Sequence, residues 1–323
     1  FERDSIDLYG HRVFESIFSD CYRFLKKMGI TRINYCDDSA IPLGNPETWV
    51  QGFVNGKAHY LLSDFAFTHK LLIWPDDFSM ELNPKALKSR GLYSICPTLP
   101  MKYTDLWLAR QYSDSLAGLF KGKSIHAFCT REEFVKTLNQ ASVVQLFTHG
   151  EGVQGLVFSN GNLLPDDIRN LKLNLELVGL TGCESNEGEL IIGDGTKGMT
   201  EAFIGAGAKR VISTLWKIDE RSSAMIMLEF YRNIRAGQPA DIALQNAKLK
   251  FISRADELEQ TPSFWGGILL YGSMEPLYPV SSLSSPISFK IIGTITILIF
   301  GLILLVPHYR FFSGRLRSEQ RFA

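Results

Sequence analysis

The sequence predicts an α/β protein with a mostly parallel sheet flanked by helices on both faces, followed by one transmembrane helix. Three observations carry this. Short, nearly solid apolar runs recur along the chain, such as ValValGlnLeuPhe at 143–147 and LeuValGlyLeu at 177–180, and runs apolar on both sides belong to strands covered on both faces. Amphipathic segments of helical period alternate with these runs, the pattern of crossover connections. Ile287 to Val306 is a 20-residue stretch with a single charge, Lys290. As a helix it reaches about 30 Å, the thickness of a bilayer core.

Composition sets the outer limits. With 45% apolar and 21% charged residues, 323 residues can bury a sizeable core, which excludes whole-chain disorder. The 34 Lys+Arg against 34 Asp+Glu leave no global cationic surface, so no nucleic acid is expected as a partner. Cys21, Cys36, Cys96, Cys129 and Cys183 are too scattered for a disulfide framework, and no CxxC or Cys/His ligand spacing occurs. Free thiols and no metal are expected. The chain opens on Phe1, as expected of a piece whose natural beginning is missing.

Taken in order, Asp4 to Met28 reads as an amphipathic helix, with Leu8, Val13, Phe14, Ile17, Phe18, Cys21, Phe24 and Leu25 near the 3.6 period and Gly29 as a stop. Strands are expected at Thr31 to Cys36, Lys57 to Leu62, Leu71 to Trp74, Ser124 to Cys129, Ser142 to Thr148, Glu176 to Thr181, Arg210 to Trp216 and Gly266 to Tyr271. Helices are expected at Arg131 to Gln140, Lys197 to Ala206, Glu220 to Ala236 and Pro239 to Ile252. In the third of these, Ala224, Met227, Leu228, Tyr231 and Ile234 form one stripe, and in the fourth Pro239 takes the first helical position.

The organisation is then a folded domain at 1–278, a Ser- and Pro-rich linker at 279–286, a membrane helix at 287–306 and a basic tail at 307–323. The linker before the apolar stretch and Arg310, Arg315, Arg317 and Arg321 after it argue against a buried core helix. The lipid bilayer is therefore an expected partner. Positive charge places the tail in the cytoplasm by the positive-inside rule, and the membrane face of the large domain stays open.

Two motifs are decoys. Gly150, Gly152 and Gly155 match GxGxxG after a strand, but residues 156–161 read as another strand and turn where a helix should open. Ala117 to Ser124 fits a permissive phosphate-loop pattern, but it leads into a strand and reads as a basic surface turn. No cofactor is expected.

Of six histidines, His149 alone stands at the carboxyl end of a strongly apolar strand, and Cys183 holds the equivalent place after the strand Glu176 to Thr181. In α/β sheets these ends line the crevice. The two lie 34 residues apart, about one strand–crossover–strand unit, so adjacent strands could set them side by side. An imidazole favours the thiolate of a neighbouring cysteine and can hand a proton to a leaving amine. Glycines beside both let a backbone approach an oxyanion, and the N–H groups of Gly150 and Cys183 are the expected donors. No acidic third member is evident from spacing. The plainer reading is a buried structural cysteine and a satisfied histidine.

The chain resembles the CHAT domain, a caspase-like cysteine peptidase module of the clan of caspases, separase, gingipains and legumain. The resemblance is carried between Val143 and Gly272 by ThrHisGly (148–150), LeuLeuProAspAspIle (163–168), LeuValGlyLeuThrGlyCysGluSer (177–185), GlyMetThrGluAlaPheIleGlyAlaGlyAla (198–208), ValIleSerThrLeuTrpLysIleAspGlu (211–220), PheTyrArgAsnIleArgAlaGly (230–237) and ProSerPheTrpGlyGlyIleLeuLeuTyrGly (262–272). It implies a caspase-like sheet, His149 as general base and acid, Cys183 as nucleophile, and a protein or peptide substrate. Members often carry tetratricopeptide repeats ahead of this domain, so a repeat region or regulatory protein is an expected partner. SerAsn at 185–186 departs from the family's more frequent Thr-Gly, in the loop that shapes the substrate pocket.

Glu184, Asp194 and Asp219 fall in loops at the expected active edge. They would form an acidic pocket for a basic side chain, as in clan relatives that cut after Arg, although solvated loop carboxylates are the preferred reading. The Gly-rich stretch Gly188 to Gly198 costs entropy to order and is expected to settle when substrate or partner binds. A membrane-anchored cysteine endopeptidase working through an acyl-enzyme is the leading expectation. A catalytically silent interaction or signalling scaffold is the alternative.

Overall fold

In the computed structural model, which describes residues 3–36, 45–55, 57–70, 91–100, 102–103, 105–125, 129–151, 155–181, 189–191, 195–277 and 296–298, apolar runs become strands and amphipathic segments become helices. The strands are β1 (Arg32–Cys36), β2 (Val50–Val54), β3 (Lys57–Tyr60), β4 (Ala66–His69), β5 (Leu92–Ile95), β6 (Lys123–Ile125), β7 (Val143–Leu146), β8 (Leu156–Phe158), β9 (Gly161–Leu163), β10 (Leu177–Leu180), β11 (Glu189–Ile191), β12 (Gly195–Lys197), β13 (Arg210–Thr214), β14 (Ile268–Gly272) and β15 (Thr296–Leu298). The helices are α1 (Arg3–Val13), α2 (Ser19–Lys27), α3 (Trp107–Phe120), α4 (Arg131–Leu138), α5 (Pro165–Arg169), α6 (Met199–Gly205), α7 (Glu220–Arg235) and α8 (Ala240–Arg254).

One sheet runs in the order β15-β1-β4-β14-β13-β10-β7-β5-β6, and all its pairs are parallel except β13 with β14. Three hairpins, β2–β3, β8–β9 and β11–β12, stand outside it. Side chains of β7 alternate between two cores: Val143 and Phe147 pack toward α3, α7 and α8, and Val144 and Leu146 toward α4, α5 and α6. From β5 the chain steps outward through α3 to β6, then returns to β7 and continues the other way to β10 and β13. The order reverses between β5 and β7, and the crevice at such a reversal is where α/β sheets place their sites.

Differences from the expected elements have local causes. The first helix is interrupted by a π turn at Phe14–Phe18, where the Phe14 and Phe18 rings meet each other edge-on and contact Tyr22 and Trp49 respectively. The strand at Lys57 ends at Tyr60, because Leu61–Ser63 winds into a 3-10 turn, and it pairs only in a hairpin. Helix α3 was not legible: on its buried face only Leu116 is large and apolar, and Ala109, Ser113 and Ala117 are small, so the stripe is faint. The expected strand at 71–74 lies outside the described residues, as do the linker at 279–286 and the basic tail at 307–323. No described helix is long and apolar enough to cross a membrane. Within 287–306 the described residues are Thr296–Leu298, which pair with β1 as an edge strand, a role that β-branched Thr296 and Ile297 suit.

His69 on β4 is buried between the Tyr35 and Tyr271 rings. Desolvation, aided by the charge of Lys248, pushes its imidazole down to about 3. An unfolded histidine titrates near ~6.5, so between these values the unfolded chain binds a proton that the folded chain refuses. Stability is therefore lost as pH falls from about 6.5 toward about 3. Urea denaturation at pH 7 and pH 5 should show a smaller acid loss in His69→Phe than in wild type; equal losses would contradict this.

Candidate active site

The site is built where β7 and β10 end. Their register pairs Leu177 with Val143, Val178 with Val144, Gly179 with Gln145 and Leu180 with Leu146, a constant offset of 34 residues. One step on, the Thr181 N–H donates to the Leu146 carbonyl at 3.1 Å. Gln145 projects over Gly179, where a Cβ would lie 2.0 Å from its Oε1. From there its amide donates to Thr181 Oγ1 at 2.8 Å and accepts from the Tyr231 hydroxyl of α7 at 3.1 Å. This buried network fixes the end of β10 against β7.

His149 follows β7 by three residues and is held from below by the β8–β9 hairpin. The Val157 N–H donates to the His149 carbonyl at 2.9 Å, the Glu151 N–H to the Gly155 carbonyl at 2.9 Å, and Thr148 Oγ1 to the Val157 carbonyl at 2.6 Å. These bonds flank an antiparallel bridge between Gly150 and Leu156. Gly150 is thus the non-hydrogen-bonded member of the ladder, and its N–H points away from the hairpin. Gly155, one glycine of the decoy motif, has φ +87° and leaves 2.0 Å between a would-be Cβ and the Leu163 carbonyl oxygen. Its task is to let the chain enter β8 in close contact with the end of β9. Gly152 lies outside the described residues. The other decoy is a turn: Lys121 ends α3 at φ 52° and the chain enters β6.

The imidazole stacks on Tyr103, with centroids 5.6 Å apart and planes 22° from parallel. The Tyr103 hydroxyl donates to Glu151 Oε1, and Asn162 of β9 donates to Glu151 Oε2 at 2.6 Å. Lys102 Nζ lies 4.0 Å from the same carboxylate. The Tyr103 and Asn162 hydrogen bonds, helped by the charges of Lys102 and His149, hold the Glu151 carboxyl below the usual range.

Beside His149 opens a cleft of about 220 Å3, bordered by Leu106, Phe147, Thr181, Ile218 and Asp219 among others. It lies between the first turns of α3 and α7. Glu220 Oε1 accepts from the Ala109 N–H at 2.8 Å, and Asp219 Oδ1 accepts from the Arg221 N–H at 3.2 Å. Asp219 thus borders the cleft, and part of its carboxylate is engaged as a helix cap. Cys183, Glu184 and Asp194 lie outside the described residues. The described parts of the Gly-rich stretch pair as the β11–β12 hairpin. Trp216 borders the core, not the cleft: its indole N–H donates to the Ser263 carbonyl at 3.0 Å and its ring covers Gly267.

Comparison with known proteins adds to this geometry. Tetratricopeptide repeat protein 28 of Homo sapiens is 33% identical over 117 residues, 36% of this chain and 5% of that protein. Its Mus musculus counterpart is 29% identical over 154 residues, 48% of this chain and 6% of that protein. The chain thus spans only about a twentieth of these curated relatives. Among solved structures, the Arg-specific cysteine proteinase gingipain R superposes with a TM-score of 0.57 at 12% identity, over 85% of this chain and 68% of that one. The complex of the pro- and mature domains of the Porphyromonas gingivalis enzyme gives 0.56 at 13% identity, over 85% and 70%. At such identities the likeness shows a shared caspase-like fold. Residues 102–273, more than half of the chain and the whole of the sheet from α3 to β14, match the CHAT domain, and the chain belongs to that family.

Proposed function

We propose that this domain is a cysteine endopeptidase in which His149 and Cys183 act as a dyad on a peptide bond. The observation that carries the reading is the register of β7 and β10. Their pairs are offset by 34 residues (143 against 177, 146 against 180), and 149 and 183 differ by the same number. Prolonging the observed pairing past the strand ends would put the two at equal height on neighbouring strands, about 5 Å apart. Parity would direct both toward the α3 and α7 side, where the cleft lies.

In this reading His149 takes the thiol proton and the thiolate sulfur attacks the carbonyl carbon. The N–H groups of Gly150 and Cys183 hold the developing oxyanion, each contributing on the order of 10²–10³ in rate. Collapse breaks the C–N bond, and the imidazolium returns its proton to the leaving amine. Water, deprotonated by His149, then hydrolyses the thioester and restores the thiol. The gingipain likeness in fold supports a peptidase of this kind, and the tetratricopeptide-repeat relatives support a repeat region or regulatory protein as a partner.

The test is covalent labelling of the full chain by a peptidyl electrophile such as an acyloxymethyl ketone. Burial raises the pKa of the Cys21 thiol and pushes those of Cys96 and Cys129 up to about 12 and about 11, so these thiols contribute little background. Cys183→Ala should abolish labelling, and His149→Ala should slow it by about 10²-fold or more. Labelling unchanged in both variants would remove the peptidase and leave the silent scaffold.

A further inference from the structure

We propose that Tyr103, Glu151 and Asn162 form a clamp that sets the orientation of the His149 ring, and that Tyr103 and Glu151 are positioning residues of the site. The inference rests on the peptidase reading and extends it to residues in no sequence motif. A dyad works only while one ring nitrogen faces the sulfur, and a histidine beyond the end of a strand must lose its rotamer freedom to stay there. In a triad a carboxylate does this by accepting directly from the imidazole. Here the carboxylate two residues on engages the neighbours of the ring: Glu151 Oε1 accepts from Tyr103, and Glu151 Oε2 from Asn162.

Glu151 follows His149 by two residues on extended backbone pinned to the hairpin, so both side chains leave the same side. The phenol spans the gap between them. Its ring lies against the imidazole face at 5.6 Å and 22°, and its hydroxyl is tied to the carboxylate. Stacking covers a face and leaves the ring nitrogens at the edge, so it restricts rotation without occupying either nitrogen. Asn162 fixes the second carboxylate oxygen from β9, the strand whose partner β8 holds the His149 backbone. Tyr103 thus covers the ring, and Glu151 and Asn162 hold Tyr103 in place. The carboxylate acts on the ring at one remove, through a phenol.

Two measurements test this. In the full chain, the kinact and KI of a peptidyl electrophile are compared for Tyr103→Phe, Tyr103→Leu, Glu151→Gln and the Tyr103→Phe/Glu151→Gln double variant. Tyr103→Leu should lower kinact by on the order of 10²-fold, as an ångström-scale misplacement does. Tyr103→Phe, which keeps the ring, should lower it less. KI should stay unchanged throughout. The double variant should lose no more than its weaker single parent, because hydroxyl and carboxylate act as one unit. Independently of any labelling, the His149 ring protons in the Cys183→Ala protein should lose their ring-current shift in Tyr103→Leu and keep most of it in Tyr103→Phe. Normal kinact in Tyr103→Phe and Glu151→Gln, or additive losses in the double variant, would overturn the clamp while leaving the peptidase. Absence of labelling in wild type would sink the peptidase alone, and unmoved His149 shifts in Tyr103→Leu would sink the clamp alone.

Discussion

Replacing Lys248 by methionine is expected to destabilise the fold by about 3–5 kcal/mol, and adding Glu47→Leu should restore most of the loss. Lys248 of α8 is fully buried, as is Glu47 within the Pro46–Thr48 turn. The ammonium donates to the Glu47 carboxylate and to the Ile268 carbonyl of β14, joining a helix, a turn and a central strand. Burial pushes the lysine downward and the glutamate upward in pKa, so each depends on the other to remain charged. Methionine fills the same space but removes the cation, leaving the buried Glu47 carboxylate with only the neutral Asn45 side chain, where it must either protonate or stay charged without a counter-ion. In that variant the Glu47 pKa is raised above its unfolded value near ~4.3. Its penalty should then grow as pH rises, making the loss larger at pH 8 than at pH 5. Urea denaturation of the two singles and the double completes the cycle. A Lys248→Met loss below about 1 kcal/mol would show that the pair is not a stabilising link.

The second large effect is expected from Gly155→Ala. A side chain there meets two obstacles at once: φ +87°, and the Leu163 carbonyl oxygen 2.0 Å from the new Cβ. The first is worth about 1–3 kcal/mol, and the second cannot be relieved by rotating a side chain, because the obstacle is backbone. The least disruptive escape is to open the hairpin, which releases the Gly155–Glu151 bond and with it the support of His149. Hydrogen exchange should accelerate at the Glu151 and Val157 amides while β10 and β13 stay protected, and electrophile labelling should slow in parallel. Unchanged exchange at those two amides would contradict the account.

What could be read in the sequence depended on how each residue advertises itself. The runs around Val143, Leu177 and Arg210 are apolar on both faces and became adjacent central strands. The stripe of α7 from Ala224 to Ile234 likewise packs where its period points. Strands β4 and β5 carry polar Thr68, His69 and Ser94 at buried positions, which blurred the apolar signal. At the site, His149 stood out because it ends a strand. Tyr103 and Asn162 did not, since both are irregular or hairpin residues whose partner is set by tertiary approach. Glu151 sat in plain view two positions from the histidine, but its use depends on Tyr103. Asp219 stands one residue before the expected helix start at Glu220, so its role as the cap of α7 was within reach of the sequence, whereas its place beside His149 depends on tertiary approach.

The reversal of β14 has an outcome for how the domain presents itself. Ile268 lies beside Thr214 at the cleft end of the sheet, while Gly272 lies beside Arg210 at the far end. Gly272 turns out at φ +108°, with the Lys209 carbonyl oxygen 2.2 Å from any added Cβ. The segment that follows β14 therefore begins at the end of the sheet opposite the cleft. There the buried Arg210 guanidinium donates to the Ser273 and Glu275 carbonyls, so a single cation of β13 pins the exit of β14 at a distance from His149.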